Sequence, residues 1–319
     1  MFTVIQLTLA LVLSNGFTFN EDFREIPRHY GTCNPLEEYS SPSKNFRLTI
    51  TSDSTRRGAQ FGPADYCLNN DEGEVWCKTL RFTLCPAAVF DDGTVAGVAY
   101  RRSPDTRYPT TFLHVVIIDT SETLVLNEEA RQVRGSHSEA SPTPSVRGVF
   151  VDFDKRRLWL DLLDRVDKHV AISHRILRVY DVDTGKRLSE IAAKQLCTKK
   201  GHGHHKLRLC RAKPIPDTDL MLVHALAYDQ KRASDGVFAV VDARGNLIWQ
   251  DELTGDYTPM PGEKHYDQCL DFRGNPPVFG PGETPGSFWI RSVHDDARIE
   301  LEAIKDATAS AWAVQRLGQ

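Results

Sequence analysis

The chain has 319 residues, 40% of them apolar, and its 39 basic and 43 acidic side chains leave a formal net charge of −4. That apolar content fills a core and excludes global disorder, and the length suits one repeat-built all-β domain. Lys and Arg are scattered rather than blocked, which excludes a basic face for nucleic acid or an anionic membrane surface.

Residues 1–16 read as an export signal. Val4 to Leu13 is mostly apolar, and Ser14-Asn15-Gly16 supplies small residues for cleavage after Gly16. A short anchor or a strand is the alternative, but so short a run cannot cross a bilayer that needs about 20 residues. The expectation is a secreted or periplasmic mature chain with no integral membrane segment. Residues 17–44 are rich in Pro, Ser, Asn and charge without a period, which predicts an exposed lead-in before a domain at 45–319.

Alternation begins at Phe46, Leu48 and Ile50, as a half-buried strand requires. A long loop to Asn70 follows, and Val75, Trp76 and Leu80 resume the pattern. Three aspartate-centred turns then stand 62 and 63 residues apart, at Asp92, Asp154 and Asp217. A second set, at Asp119, Asp181 and Asp242, runs between them at spacings of 62 and 61. Each is flanked by short apolar strands. A fixed period of paired strand-turn-strand units predicts two hairpins, and so four strands, per repeat. Leu188 to Leu196 reads as a short helix whose Leu188, Ile191, Ala192 and Leu196 share a face. The last hairpin lies near Phe288 to Leu301. Strand is available for about four and a half units, completed by the N-terminal strands or by Ala311 to Leu317, or left incomplete.

The segments Leu177 to Leu188 and Val237 to Trp249 resemble the outer hairpins of WD40-like and quinoprotein-like β-propeller repeats, as in bacterial secreted repeat proteins. In both, a strand ends in Asp, a Gly-containing turn follows, and Leu or Trp opens the next strand. Asp accepts bonds from turn amides and Gly supplies the positive φ. The resemblance implies an all-β, β-propeller-like fold of four-stranded antiparallel blades, about four to five in number. The period exceeds that of WD40 blades and no Gly-His with Trp-Asp pair recurs, so that family's hydrogen-bond relay is not implied.

Seven cysteines point to an oxidising compartment. Cys197 and Cys210 bracket a short polar excursion and are the first candidate disulfide; Cys67 with Cys77 or Cys85 is the second, while Cys85 and Cys269 also suit buried small hydrophobes. His202, His204 and His205 lie between Cys197 and Cys210 and are donors of the kind zinc or copper takes. Against a metal stand Lys199, Lys200, Lys206 and Arg208 around them and the absence of a two-residue cysteine gap.

Hydrolytic nucleophile signatures are absent: there is no Gly-x-Ser-x-Gly, and Asp183-Thr184-Gly185 has no second copy to make an aspartic-protease pair. A glycoside hydrolase is the enzyme alternative, drawing on Asp65, Asp152, Asp217 and Asp271, because that reaction needs paired carboxyls across a pocket. Turn capping explains most of these; Asp65, Asp267 and Asp271 are the least well explained. Trp76, Trp159, Trp249, Trp289 and Trp312 are read as core or inter-blade packing before a sugar platform. The sequence thus predicts an exported binding or scaffolding protein without cofactor, for an unidentified protein or carbohydrate ligand, with recognition in the loops at 52–70, 101–111, 129–146 and 253–265.

Overall fold

A computed structural model describes residues 23–26, 35–52, 62–102, 111–132, 146–167, 172–192, 196, 206–215, 218–229, 232–254, 278–281, 287–291, 298–305 and 312–317. All regular structure there is strand, arranged as five antiparallel sheets. Sheet one holds β2 (Leu36–Ser40), β3 (Phe46–Ser52), β4 (Ala64–Asn70) and β5 (Gly73–Leu80). Sheet two holds β6 (Leu84–Val89), β7 (Val95–Arg102), β8 (Thr111–Ile118) and β9 (Leu124–Gln132). Sheet three holds β10 (Val146–Asp152), β11 (Arg157–Asp167), β12 (Ile172–Asp181) and β13 (Arg187–Ala192), with β1 (Phe23–Glu25) added beside β10. Sheet four holds β14 (Lys206–Pro214), β15 (Met221–Asp229), β16 (Arg232–Val241) and β17 (Leu247–Thr254). Sheet five holds β18 (Val278–Pro281), β19 (Ser287–Arg291), β20 (Arg298–Lys305) and β21 (Trp312–Leu317). This is a β-propeller-like repeat of four-stranded antiparallel blades.

Sheets one to four pack face to face in succession, which explains the apolar runs of their strands. In sheet two, Ala96, Val98, Val115 and Ile117 point to a core shared with Val149, Val151, Leu158 and Leu160 of sheet three. The alternate residues Val95, Ala99, Val116 and Ile118 point to a core shared with Leu48, Ile50, Tyr66 and Leu68 of sheet one. Sheet three divides likewise, sending Phe150, Trp159, Leu177 and Val179 toward Met221, Val223 and Ala239 of sheet four. A strand covered on both faces has no polar side to alternate with. Strands β6 and β10 show this clearly, being buried at all but one position each.

The period predicted the turns. Asp92 and Asp154 lie in the hairpins joining the first and second strands of sheets two and three, and Asp119, Asp181 and Asp242 in those joining the third and fourth strands of sheets two, three and four. Asp217 lies outside the described residues, between β14 and β15. After the third-to-fourth turn the ladder of each of these sheets slips by one residue, at Ile117/Ile118, Val179/Tyr180 and Val240/Val241, and sheet one does the same at Leu68/Asn69. A bulge recurring at one place increases local twist and blunts the outer edge.

Three sequence expectations change. Two stretches of the segment taken as an exposed lead-in are strands: Leu36–Ser40 completes sheet one, and Phe23–Glu25 extends sheet three with Phe23 buried. Both are short, so their order comes from the neighbour they pair with rather than from their own pattern. The loop expected to run to Asn70 ends at the strand Ala64–Asn70. The helix expected over Leu188 to Leu196 is the strand β13 as far as Ala192, because β12 offers a free edge and the ladder outweighs a weak helical preference. Sheet five is completed by β21 from the C-terminal stretch.

Candidate functional site

Several turns carry ionisable side chains, and Asp119, Asp181 and Asp242 are each tied down within their own turn. Asp119 Oδ1 accepts the amides of Ser121 at 2.9 Å and Thr123 at 2.8 Å. Asp242 Oδ1 accepts the amides of Arg244 at 2.9 Å and Asn246 at 2.8 Å, and its Oδ2 accepts the Asn246 amide nitrogen at 2.8 Å. Asp181 Oδ1 accepts the amide of Thr184 at 2.8 Å and its hydroxyl at 2.7 Å. An aspartate opening a turn satisfies amides that the ladder leaves over.

The first turns also speak to one another across the sheets. Ser43, between β2 and β3, donates its amide to Asp91 Oδ1 at 2.9 Å and its hydroxyl at 2.6 Å. Asp92 accepts the Arg156 guanidinium of the next sheet at 2.8 Å, and Arg156 also binds Asp183. Arg157 then binds Asp219 of sheet four at 2.9 Å. Ser43, Asp91, Asp92, Arg156, Arg157 and Asp219 thus form a polar belt linking equivalent turns of four consecutive sheets. Desolvation pushes the Asp92 carboxyl up, but the Thr94 and Arg156 donors outweigh it and hold the group below the usual carboxylate range. Arg156 has φ of 52° and stands 5.0 Å over the Phe90 ring. It is a clamp, charged on both sides and stacked below.

The second turns lean on the sheet before. A Cβ at Gly185, where φ is +66°, would stand 2.9 Å from the Val125 carbonyl oxygen of sheet two. Ser189 of sheet three donates its hydroxyl to the Ala243 carbonyl in the turn of sheet four at 2.8 Å.

Asp152 is different. It ends β10 and is 3% exposed. Its Oδ1 accepts the Lys155 amide at 2.9 Å, while its Oδ2 is buried without a hydrogen-bond partner. Burial raises its carboxyl to about 6; the Lys155 amide and Arg157 oppose the rise, and Asp219 and Asp154 add to it. Such a group keeps its proton until near neutrality, as a general acid must, but Phe23 stands directly across from it in the ladder. Sequence reasoning gave Asp152 a turn-cap role and missed its burial, because the covering strand comes from the far N-terminal side.

Of the other sequence-derived candidates, Asp65 lies in β4 rather than a loop, where it accepts the Thr79 hydroxyl of β5. Asp217, Asp267, Asp271, His202, His204, His205 and Cys197 lie outside the described residues, and Cys210 is described only as backbone of β14. The Cys197 to Cys210 pairing and the histidine site therefore remain expectations. Among the described residues no group of three or more His, Cys, Asp or Glu is placed to hold a metal ion. Cys67 and Cys77, facing each other across β4 and β5, form a disulfide, and Cys85 is also disulfide-bonded rather than a free buried thiol. Trp76 and Trp159 are core residues. No described helix is long and apolar enough to cross a membrane.

No family model matches the chain, and no curated protein matches it in sequence. Among solved structures it is similar to a Penicillium chrysogenum α-L-arabinanase complexed with arabinobiose, at 11% identity, TM-score 0.34, over 91% of this chain and 86% of that one. It is also similar to a Pseudomonas aeruginosa periplasmic gluconolactonase, at 12% identity, TM-score 0.27, over 90% and 85%. A eukaryotic initiation factor is similar at 11% identity, TM-score 0.30, over 72% of this chain, which spans 59% of that factor's chain. At such scores these likenesses carry no argument; the fold assignment rests on the order and pairing of the strands.

Proposed function

We propose that the protein is an exported binding or scaffolding module, in which stacked four-stranded sheets form a rigid frame and the connections between them recognise a protein or carbohydrate ligand. The observation that carries this reading is the commitment of the turn carboxylates: Asp92, Asp119, Asp181 and Asp242 each serve turn amides, and Asp92 and Asp219 face cations. A frame so cross-tied by its turns holds loops at fixed positions, and loops are where recognition concentrates. The Cys67–Cys77 disulfide supports export, since such bonds persist in oxidising compartments.

A glycoside hydrolase is the second reading, and Asp152 is the observation in its favour, being a buried carboxyl that holds its proton to about pH 6. The two readings separate experimentally. Purified full-length protein is incubated with arabinan, xylan and fructan, with retention by immobilised polysaccharide and release of reducing ends measured in parallel. Retention without release supports the binding module; release that is lost in Asp152→Asn with folding intact supports the hydrolase.

A further inference from the structure

Sheet three alone among the described sheets carries a fifth strand, and the residue at the head of its ladder, Asp152, holds a buried carboxylate oxygen without a hydrogen-bond partner. The strand is short. It pairs Phe23, Arg24 and Glu25 with Asp152, Val151 and Phe150, and the Ile26 amide adds a bond to the Val149 carbonyl at 2.8 Å. Its side chains act as pegs: Phe23 lies 5.7 Å from the Trp159 ring and packs with the core between sheets three and four. Ile26 enters the core between sheets two and three, and Arg24 stands 5.0 Å over Phe153.

Phe23, Asp152, Arg157 and Asp181 form one row across sheet three, so Phe23 and Asp152 share the face toward sheet four. The charged groups around Asp152 are Asp154, Lys155 and Arg157 of its own hairpin, Asp181 at the end of the row, Asp219 from sheet four, and Arg24 and Glu25 on β1. Arg157, the nearest source of compensation, is engaged by Asp219 at 2.9 Å. An ionised Asp152 therefore has the Lys155 amide and a shared cation on one side, and two further carboxylates on the other.

We propose that Phe23–Ile26 is a displaceable strap on the free edge of β10, and that Asp152 is its latch: the strap is docked when the carboxyl is neutral and loosened when it is ionised. The energetic argument is reciprocity. A strap that buries Asp152 disfavours its charged form, so charging Asp152 disfavours the docked strap by the same factor. The sign follows from burial, which raises the group to about 6. Docking is complete at pH 5, where the proton is on, and weakened at pH 8, where it is off. Departure of the strap would open the β10 edge and the carboxyl beneath it to solvent together.

The test is amide hydrogen exchange on the full chain at pH 5 and pH 8, with rates corrected for intrinsic pH dependence. The expected result is that protection over residues 23–26 falls about tenfold or more at pH 8 relative to the amides of β11 and β12, as a coupling of at least one pKa unit requires. Asp152→Asn should hold the strap equally at both pH values. Asp219→Asn frees Arg157 to compensate Asp152 and should shrink the fall, which provides a second variant if the first folds poorly. Constant protection in the unmodified protein would overturn the latch, as would an undiminished fall in either variant. The readout involves no ligand, so its failure is distinct from failure of the binding role.

Discussion

Arg156 in the first turn of sheet three binds Asp92 in the first turn of sheet two at 2.8 Å, and Arg157 binds Asp219 of sheet four at 2.9 Å. The Arg157–Asp219 pair and the Arg156–Thr94 hydrogen bond each join residues 62 apart, one full repeat. The period seen in the sequence is thus also the distance over which neighbouring sheets hold each other.

Arg156→Ala should therefore loosen sheets two and three together. It removes ion pairs to Asp92 and Asp183 and the stack on Phe90, but both carboxylates are more than half exposed, so solvent screens much of the charge. The expected cost is about 1–2 kcal/mol in urea unfolding, with Arg156→Lys falling between.

Gly185→Ala should cost more than Gly245→Ala. Both positions have positive φ, at +66° and +82°, but a Cβ at Gly185 meets a backbone oxygen at 2.9 Å whereas at Gly245 the nearest atoms are side chains at 3.3 Å. Strain at such positions is of order 1–3 kcal/mol, and backbone cannot move aside as a side chain can. Thermal midpoints of the two variants give the order.

Cys67→Ser with Cys77→Ser should lower stability by about 2–3 kcal/mol, the loop entropy of a short closure, without abolishing sheet one. Tyr66 supports that sheet independently, donating to the Phe82 carbonyl at 2.7 Å and accepting the Leu84 amide at 2.8 Å. Calorimetry with and without the pair checks this.

Asp152→Asn should flatten the pH dependence of stability. The folded-state carboxyl is raised to about 6 from the ordinary 3.8, so its contribution is present below the unfolded value and lost as pH rises through about 6. Above pH 7 the variant should be at least as stable as the unmodified protein, and its advantage should vanish near pH 4. Unfolding midpoints at four pH values across this range are sufficient.

The hairpins were legible because an aspartate opening a turn and a glycine inside it are local necessities: Asp181 with Gly185 and Asp242 with Gly245 act within a few residues. The apolar runs of β8 and β10 likewise announce strands covered on both faces. What escaped depends on distant chain. Leu36–Ser40 and Phe23–Glu25 gain order from pairing with β3 and β10, and β13 is a strand because β12 leaves an edge. The belt from Ser43 to Asp219 joins residues far apart in the chain, and Asp152 meets Phe23 across the ladder of β1 and β10, so neither can be read from local pattern.

The central claim is that this frame binds rather than cleaves. The direct measurement is reducing-end release from arabinan, xylan and fructan by the full-length protein across pH 5 to 8, with Asp152→Asn alongside. The account predicts no release above the buffer blank at any pH and no difference between the two proteins. Release by the unmodified protein that disappears in the folded variant would contradict it.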